Sequence, residues 1–504
     1  MITTGLIIAA AFTFLAWGFY RALPFGKLGV VAWLQTVVLM VPWLLLYGLI
    51  GLGVGINLAG ILFILVTAIA IYIGLGRWLR SLAETTGATL PHQRSGRSHL
   101  SDIPVSSSDH STLDPDLETE SSTPEGTVSE GALLTMPSED LNKVKGIFGI
   151  DTFFATEFIP YKRGVICRGN LRGEAAAVHR HLSERLQEVL PDQYRLFIVP
   201  NSDSKPVMIV LPQTTEPIST TLSQNVLAGI LFLATCATCL ETSSILQGFS
   251  FLSAPGDFQR ALPIGIGILI ILVCHDLGHR WMAARYKAQL SPPFFIPAWQ
   301  LGAFGSIVRI ESFLKTRQEL FDIAIAGPAF SGILSLLALV IGFFAPTGPS
   351  TSFQVPSLFF QGSILVGSLA RVFLGDQLQA DFVMINPLVI IGWLGLIITA
   401  INLMPAGQLD GGRIVQSIYG VKVAGRCTWI TLIVLGLVAI ANPLALYWAL
   451  IIIFLQRDLE RPSLDEVSEP DDLRAALGLL ALFLMAATLI PLAPGLAGQL
   501  GIGG

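Results

Sequence analysis

The feature that most constrains this chain is a series of long apolar stretches, separated by short polar or basic segments. A helix needs about 20 apolar residues to cross a bilayer. An apolar stretch in lipid forms a helix because its backbone N–H and C=O groups must then bond to one another. Charged residues make up only 13% of the chain, and the mean hydropathy is +0.67, which excludes a large soluble enzyme. The stretches predict helices near 4–21, 29–51, 55–76, 223–246, 261–281, 321–345, 384–404, 424–440, 443–456 and 472–493. The prediction is an all-α polytopic membrane protein of about nine or ten helices.

Two of these stretches are ambiguous. Asn442-Pro443 breaks a long apolar run, so the run 424–456 fits either two spans or a hairpin that dips partway into the bilayer. The stretch 357–374 is interrupted by polar residues and by Arg371, and we expect it at the membrane interface.

A polar interval follows the third helix and divides the chain. Residues 84–138 are rich in Ser, Thr, Pro, Gly, Asp and Glu, a composition that predicts an acidic, disordered linker. Residues 139–222 are expected to form a small soluble α+β domain, inserted after the third helix. Its predicted elements are strands at 165–168, 194–199 and 206–211 and an amphipathic helix at 173–190. The remaining regions are an N-terminal membrane region of three helices, 1–83, and a second membrane region, 223–504.

The basic loops set the orientation. With the N-terminus outside, the basic residues that follow helices one, three, five and seven all fall on one face, which the positive-inside rule assigns to the cytoplasmic side. The soluble domain then lies on that side. The net charge of -5 gives no basic face for nucleic acid.

Two histidines stand apart from the other five. His275 and His279 lie at the end of an apolar helix, and residues four apart face the same side of a helix. This is the spacing of two helical zinc ligands. Asp276 follows the first histidine, where the H-E-x-x-H pattern has the glutamate that handles the proton of a zinc-bound water. The alternative is a pair of histidines that cap a helix at the interface, beside Arg280.

A third candidate ligand comes from another helix. Asp410 follows a stretch broken by Pro405 and Gly407, and a carboxylate near membrane depth is costly unless something binds it. The orientation argument places it on the same face as the histidines. Two imidazoles and one carboxylate leave a fourth position open on zinc, as in catalytic sites. The alternative is a helix N-cap, or an ion pair with Arg413.

These motifs resemble the site-2 protease family of intramembrane zinc metalloproteases (peptidase family M50). The family pattern N-x-x-P-x-x-x-L-D-G is matched at Asn402, Pro405, Leu409, Asp410 and Gly411, and H-E-x-x-H is matched except at Asp276. The stretches 148–154, 168–173, 302–307 and 326–328 look like the chloroplast and cyanobacterial branch. The resemblance covers about 139–495 and identifies 223–504 as a membrane-embedded metalloprotease domain.

The resemblance implies hydrolysis of peptide bonds in or near the transmembrane segments of membrane-protein substrates. It implies one Zn²⁺ per chain on His275, His279 and Asp410, with Asp276 as the catalytic carboxylate. Supporting or substrate-site roles would fall to Asn402, Pro405, Gly411, Gly302 and Gly305. The segment 302–310 fits two interpretations equally, an exposed strand edge that holds an unwound substrate or an ordinary interfacial hairpin.

Asp276 leaves the activity open. Aspartate is shorter than glutamate by one methylene, about 1.5 Å, and a proton-transfer group must reach the water that it serves. Three hypotheses follow: an active protease, a zinc-binding but catalytically weak scaffold or chaperone for membrane proteins, and a transporter. The sequence does not predict an oligomeric state. The N-terminus lacks an Arg- and Ser-rich transit segment, so a cyanobacterial plasma or thylakoid membrane is expected, with a plastid membrane as the alternative.

Overall fold

The computed structural model describes residues 136–502, except 162, 202, 204, 216, 218, 349–351 and 441, and scattered positions between 18 and 78. The chain forms two compact units, residues 1–99 and 100–504. In the first unit nearly all described positions are helical, and Gln35 donates a hydrogen bond to the carbonyl of Tyr72. The predicted helices at 4–21, 29–51 and 55–76 and the predicted linker at 84–138 lie largely outside the described residues.

The second unit begins with a four-stranded antiparallel sheet. The four strands are β1 (Phe153–Tyr161), β2 (Gly164–Leu171), β3 (Tyr194–Pro200) and β4 (Pro206–Pro212), in the order β1-β2-β4-β3. Two helices accompany them, α1 (Ser138–Ile147) and α2 (Ala175–Val189). Val178, Leu182 and Leu186, four apart on α2, are buried against one face of the sheet. The predicted helix and three strands are confirmed, whereas α1 and β1 were not predicted.

Thirteen further helices and strands follow in the described part of the second unit. They are α3 (Leu222–Leu246), α4 (Phe258–Tyr286), β5 (Phe294–Ala298), β6 (Gly302–Ile307), α5 (Arg317–Phe344), β7 (Phe353–Pro356), α6 (Ile364–Leu374), β8 (Phe382–Ile385), α7 (Pro387–Asn402), α8 (Asp410–Val438) and α9 (Pro443–Ile451), followed by α10 (Asp472–Leu489) and the short α11 (Pro494–Gln499). Five helices are long and apolar enough to span a membrane: α3, α4 with the turn before it, α5, α8 and α10.

Most of the predicted helices in this region are confirmed, with two changes. The helix predicted at 384–404 is the shorter α7, because Pro387 starts it and Asn402 ends it. The helix predicted at 424–440 begins much earlier, at Asp410, and is broken at Gly420, whose φ is 81°. The break at Asn442-Pro443 is confirmed, since the Asn442 side chain caps α9. The total of nine or ten helices stays a prediction.

The expectation of an all-α membrane region is wrong in one respect, because two small antiparallel sheets of two strands each lie among the helices. The hairpin β5–β6 is largely buried, and side chains of α3 donate hydrogen bonds to backbone carbonyls at its turn. Thr238 donates to the carbonyl of Gly302, and Thr242 donates to the carbonyl of Trp299. Away from water, irregular backbone is stable only with such partners. The second sheet pairs β7 with β8, which lie on either side of α6 in the sequence, and it packs with α6 and α11.

The stretch 357–374 forms a 3₁₀ turn, Ser357–Gly362, followed by α6. Val366 and Ala370 are buried on one face of α6, and Val372 on the same helix is exposed. This one-sided pattern suits a helix that lies along a surface, and its location at the membrane interface stays a prediction.

An extended segment between α9 and α10 joins the sheet to the helices. Ile198 of β3 donates to the carbonyl of Leu464 and accepts from the amide of Glu466. On the other side of the same segment, the amides of Leu464 and Asp465 donate to the carbonyls of Leu314 and Lys315. The segment therefore pairs with the edge of β3 and with the residues that lead into α5.

Candidate metal site

Three of the predicted site residues meet at one point. His275 and His279 project from α4, and Asp410 is the first residue of α8. The Nε2 atoms of the two imidazoles are 3.1 Å apart, and they lie 3.1 and 3.4 Å from the two carboxylate oxygens of Asp410. All three residues are buried. Among the described residues, this is the group of His, Cys, Asp and Glu whose geometry could hold a metal ion.

The other ring nitrogens are held by the neighbouring helix α5. The Nδ1 atom of His279 lies 2.7 Å from the carbonyl of Ile323, and it must carry a proton because a carbonyl only accepts. The Nδ1 atom of His275 lies 3.0 Å from the hydroxyl of Ser331, which also contacts the carbonyl of Gly327 and the hydroxyl of Thr399. With protons at Nδ1, both imidazoles present Nε2 lone pairs to Asp410. No sequence motif pointed to Ser331 or Ile323.

The donor set fits a zinc ion. Two Nε2 lone pairs and a carboxylate are all acceptors, so their convergence needs a cation or a proton between them. Imidazole nitrogen and carboxylate oxygen are zinc ligands, and bonds of about 2.0–2.1 Å in a tetrahedron place ligand atoms about 3.3 Å apart. The observed separations of 3.1, 3.1 and 3.4 Å lie close to that value.

Glycines let α4 and α5 approach closely enough to build the site. A Cβ at Gly278 would lie 2.5 Å from the carbonyl oxygen of Ala326, so the two helices touch along their backbones. A Cβ at Gly327 would lie 2.2 Å from Nε2 of His279. Gly327 therefore provides the space that the imidazole occupies.

The turn between α7 and α8 delivers Asp410. Asn402 ends α7 and donates to the carbonyls of Phe304 and Ile398. Pro405 follows, and Gly407, with φ of 49°, packs against the carbonyl of Gln456. A Cβ at Gly411 would lie 1.8 Å from the carbonyl oxygen of Leu403, so only glycine fits behind Asp410.

The structure contradicts both alternative interpretations of Asp410. The N-cap of α8 is Leu409, and Asp410 lies inside the helix. Arg413 pairs with Glu460 at 2.8 Å and donates to the carbonyl of Val308. Glu460 is a site residue that the sequence analysis missed, because the segment that contains it has no motif.

Asp276 is placed differently from the three candidate ligands. It is buried, and its Oδ2 atom accepts a hydrogen bond of 2.6 Å from Nε of Arg280. Arg280 also donates to the carbonyl of Ser291. The other carboxylate oxygen, Oδ1, is buried and has no hydrogen-bond partner. Asp276 therefore has one oxygen committed to Arg280 and one available for a further donor.

Other carboxylates on this side of the protein are engaged elsewhere. Glu311 accepts from the amide and hydroxyl of Thr220. Glu319 accepts from the amide of Lys315, and Asp322 forms a bidentate ion pair with Arg474. None of the three belongs to the candidate metal group, so Asp276 has no obvious replacement.

Gly305 lines the crevice next to His275, whereas Gly302 lies at the start of the same strand, β6, and is not part of that lining. Gly302, with φ of 83°, packs on Cys239, and Gly305, with φ of 119°, packs on the amide of Asn402. The carbonyls of Gly302 and Phe304 already accept from Thr238 and Asn402. The interpretation of this part of 302–310 as an exposed strand edge is therefore wrong, because the strand is buried and these carbonyls are occupied.

A narrow crevice adjoins the histidines and leaves no room for a water-sized group. Its lining includes the apolar side chains of Ile271, Leu272 and Ile398 and the polar side chains of Ser331 and Asn402. The surroundings of His275 are therefore partly apolar and partly polar, and they are tightly packed.

Comparisons with known proteins agree with this geometry. The family pattern described as "Peptidase family M50" matches residues 263–438, which include all three candidate ligands. The pattern described as "EGY3 middle domain" matches residues 142–217, which include the four-stranded sheet. No solved structure matches the chain.

Several curated relatives come from plants. The chain is 38% identical to "Probable zinc metalloprotease EGY1, chloroplastic" of Arabidopsis thaliana, over 71% of the chain and 72% of that protein. It is 38% identical to the protein named EGY2 of the same plant, over 71% of the chain and 66% of that relative. It is 30% identical to "Probable zinc metallopeptidase EGY3, chloroplastic", over 72% and 67%. The chain spans slightly less than two thirds of the length of the EGY2 relatives.

Proposed function

Because the chain belongs to peptidase family M50, in the branch of the chloroplast EGY metalloproteases, we propose that it is an intramembrane zinc metalloprotease. It hydrolyses peptide bonds in or near the transmembrane segments of membrane-protein substrates. The single observation that carries this proposal is the convergence of His275, His279 and Asp410 from two separate helices, with ligand atoms 3.1–3.4 Å apart.

His275, His279 and Asp410 would hold the ion, and the groups that bind the histidine rings would fix the positions of these ligands. His275 and His279 present Nε2 because Ser331 and the carbonyl of Ile323 hold their Nδ1 atoms. When bound, zinc lowers the pKa of a coordinated water and polarises a scissile carbonyl. Asp410 supplies the negative charge that offsets part of the charge of the ion.

Asp276 is the proton acceptor in this proposal. Its Oδ1 atom has no partner among the described residues, and Arg280 holds Oδ2, so the carboxylate has a fixed orientation. A buried site of this kind excludes bulk water from the reacting groups. A substrate helix must unwind before its peptide bond is accessible, because its backbone hydrogen bonds are satisfied internally.

The second candidate function is a zinc-binding scaffold or chaperone for membrane proteins, with weak or no turnover. It is favoured by the ion pair of Asp276 with Arg280, at 2.6 Å, and by the shorter reach of aspartate. In that case Asp276→Glu produces cleavage that the native chain lacks. If the native chain cleaves the substrate and Asp276→Glu does not increase the rate, the result argues against the scaffold.

The test of the protease is a measurement of metal and cleavage on the same samples. The full chain in lipid nanodiscs is expected to contain about one zinc per chain, by mass spectrometry of the metal. His279→Ala and Asp410→Ala are expected to lose both the zinc and the cleavage of a membrane-helix substrate. Asp376→Ala, at a carboxylate with an exposed side chain, is the matched control. A metal-free native protein would refute the proposal and the scaffold alternative together.

We extend the proposal to the organisation of the chain. The membrane topology is multi-pass, with 223–504 as the protease domain and 139–222 as a domain on the cytoplasmic-type side. The agreement of the matched range 142–217 with the folded sheet supports these boundaries.

The partners are membrane-protein substrates and the bilayer, and the location is a cyanobacterial plasma or thylakoid membrane, or a plastid membrane. Tagged protein in fractionated membranes would test the location.

A further inference from the structure

A second buried carboxylate lies in a candidate span, away from the metal site. Glu241 belongs to α3 and has 3% of its surface exposed. Its oxygens accept hydrogen bonds from the hydroxyl of Ser250 at 2.8 Å, the amide of Leu252 at 3.0 Å and the hydroxyl of Ser244 at 3.4 Å. All three donors are neutral groups.

No cation balances this carboxylate within the described part of the chain. None of the ion pairs found there includes Glu241. Arg260, at the start of the neighbouring helix α4, lies over the ring of Phe249 instead. An ionisable residue within a membrane span is costly, and it normally has a partner or a function.

Glu241 also lines the larger of the two pockets described, a cavity of about 760 Å³. On α3 the lining continues with Ala234, Ala237 and Thr238. Small residues three and four apart on one face let another helix approach closely. The hairpin turn at Trp299 and the start of α9 form the other walls. The cavity thus combines a surface suited to helix packing with one carboxylate that lacks a counter-ion.

We propose that this cavity binds a transmembrane helix that carries a lysine or arginine, with Glu241 as the counter-ion of that residue. The inference rests on the proposed function in one respect, namely that the bound helix is a substrate. A basic side chain near the end of a membrane helix is common, because its long stem reaches toward the interface. Glu241 lies six residues before the C-cap of α3, Gln247, so it is near one end of the span.

The geometry also predicts where the basic residue lies relative to the metal site. Ser243 donates to the carbonyl of Ala261, and a Cβ at Gly265 would lie 3.3 Å from the carbonyl of Cys239. These contacts place Glu241 level with the first turns of α4. The distance along the axis of α4 from that level to His275 is about 18 Å, at 1.5 Å per residue. A basic residue bound at Glu241 would be about 5 extended residues, or about 12 helical residues, from a bond at the metal site.

The test measures peptide binding rather than cleavage. The probe is a synthetic fluorescent transmembrane peptide with one lysine near one end, compared with the same peptide carrying leucine at that position. Both are titrated into the full chain in phosphatidylcholine nanodiscs, with Asp276→Asn to prevent consumption of the peptide. The lysine peptide is expected to bind about tenfold more tightly. Glu241→Gln, which keeps the acceptor oxygen, is expected to abolish that preference and leave the leucine peptide unchanged.

The control is Glu311→Gln, which alters a carboxylate that contacts Thr220, just before the opposite end of α3; the lysine preference is expected to remain. Equal affinity of the two peptides for the native cavity would overturn the proposal. An equal loss of affinity for both peptides in Glu241→Gln would also overturn it. Displacement of the lysine peptide by phosphatidylethanolamine would overturn it as well, because the cavity would then bind a lipid amine. A lysine preference without any cleavage by the native protein would support this binding site and refute the protease.

Discussion

Arg413 and Glu460 form a buried ion pair one helical turn from Asp410, and Arg413 also donates to the carbonyl of Val308. The side chain of Gln416 donates to the backbone carbonyl of Glu460 and accepts from its amide. Three segments distant in sequence therefore meet behind the candidate ligand. Their positions decide where the first turn of α8 points.

Breaking this pair is expected to destabilise the protein strongly. Glu460→Gln leaves the Arg413 charge buried without its partner, which costs about 3–5 kcal/mol. Chemical denaturation in detergent, followed by circular dichroism, measures the change. The double variant Arg413→Met with Glu460→Leu is expected to recover most of the stability, because it removes both charges. A loss in the double variant equal to that in the single one would contradict this account.

Gly327→Ala is expected to remove the metal while leaving α5 helical. The added Cβ would lie 2.2 Å from Nε2 of His279, so the imidazole must move away from Asp410. We expect at least a tenfold loss of zinc affinity. The control is Gly332→Ala on the same helix, where the Cβ would be at an ordinary 3.6 Å from Thr399. Unchanged zinc binding in Gly327→Ala would show that His279 is not a ligand.

Ser331→Ala tests the support of the other imidazole. The substitution removes the hydroxyl that lies 3.0 Å from Nδ1 of His275, and loss of such a partner lowers metal affinity by about 10–100-fold. Competition with a chromogenic chelator measures it. Ser335→Ala serves for comparison, because the Ser335 hydroxyl donates only to the carbonyl of Ser331. Equal affinities in the two variants would argue against this role.

Asp276→Asn separates metal binding from proton transfer. The amide keeps the size of the side chain and removes its basicity, so zinc content is expected to stay near that of the native protein. Cleavage is expected to fall by about 10²–10⁴-fold. Rates and zinc content are measured on one preparation, and Asp376→Asn is the matched exposed control. A cleavage rate within twofold of native would remove Asp276 from the chemistry.

Cys167 lies in β2 of the four-stranded sheet and provides a probe of the folding of that sheet. Burial raises the pKa of the Cys167 thiol to about 12, so little thiolate exists at pH 8 and the group is shielded as well. We expect no alkylation of Cys167 by iodoacetamide in the native protein and rapid alkylation in denaturant. Peptide mass spectrometry measures both. Rapid native labelling would show that the sheet opens readily.

The candidate ligands could be predicted from sequence because their evidence was local. A four-residue spacing fixes the direction of His275 and His279 on a helix, and the helix break before Asp410 is encoded by Pro405 and Gly407. The predicted orientation of the spans also put the two segments on one face, and that orientation stays a prediction. These are properties of short segments and of charge counts.

The contacts that support the site could not be predicted in this way. Glu460 and Ser331 act through side chains that meet only after helices pack, and no periodicity records such a meeting. The strand β1 was missed because it is half exposed and interrupted by a bulge near Ala155. The start of α8 was missed because its first residues are glycine-rich and polar.

The pairing of Ile198 with Leu464 and Glu466 has a consequence for biosynthesis. The edge strand β3 leaves the ribosome long before the segment that covers it, and at about 5–20 residues per second the delay is on the order of 10 to 50 s. During that time the helices between them are synthesised, while the sheet exposes an unpaired edge. The sheet therefore reaches its final hydrogen bonding only when synthesis of the chain is nearly complete.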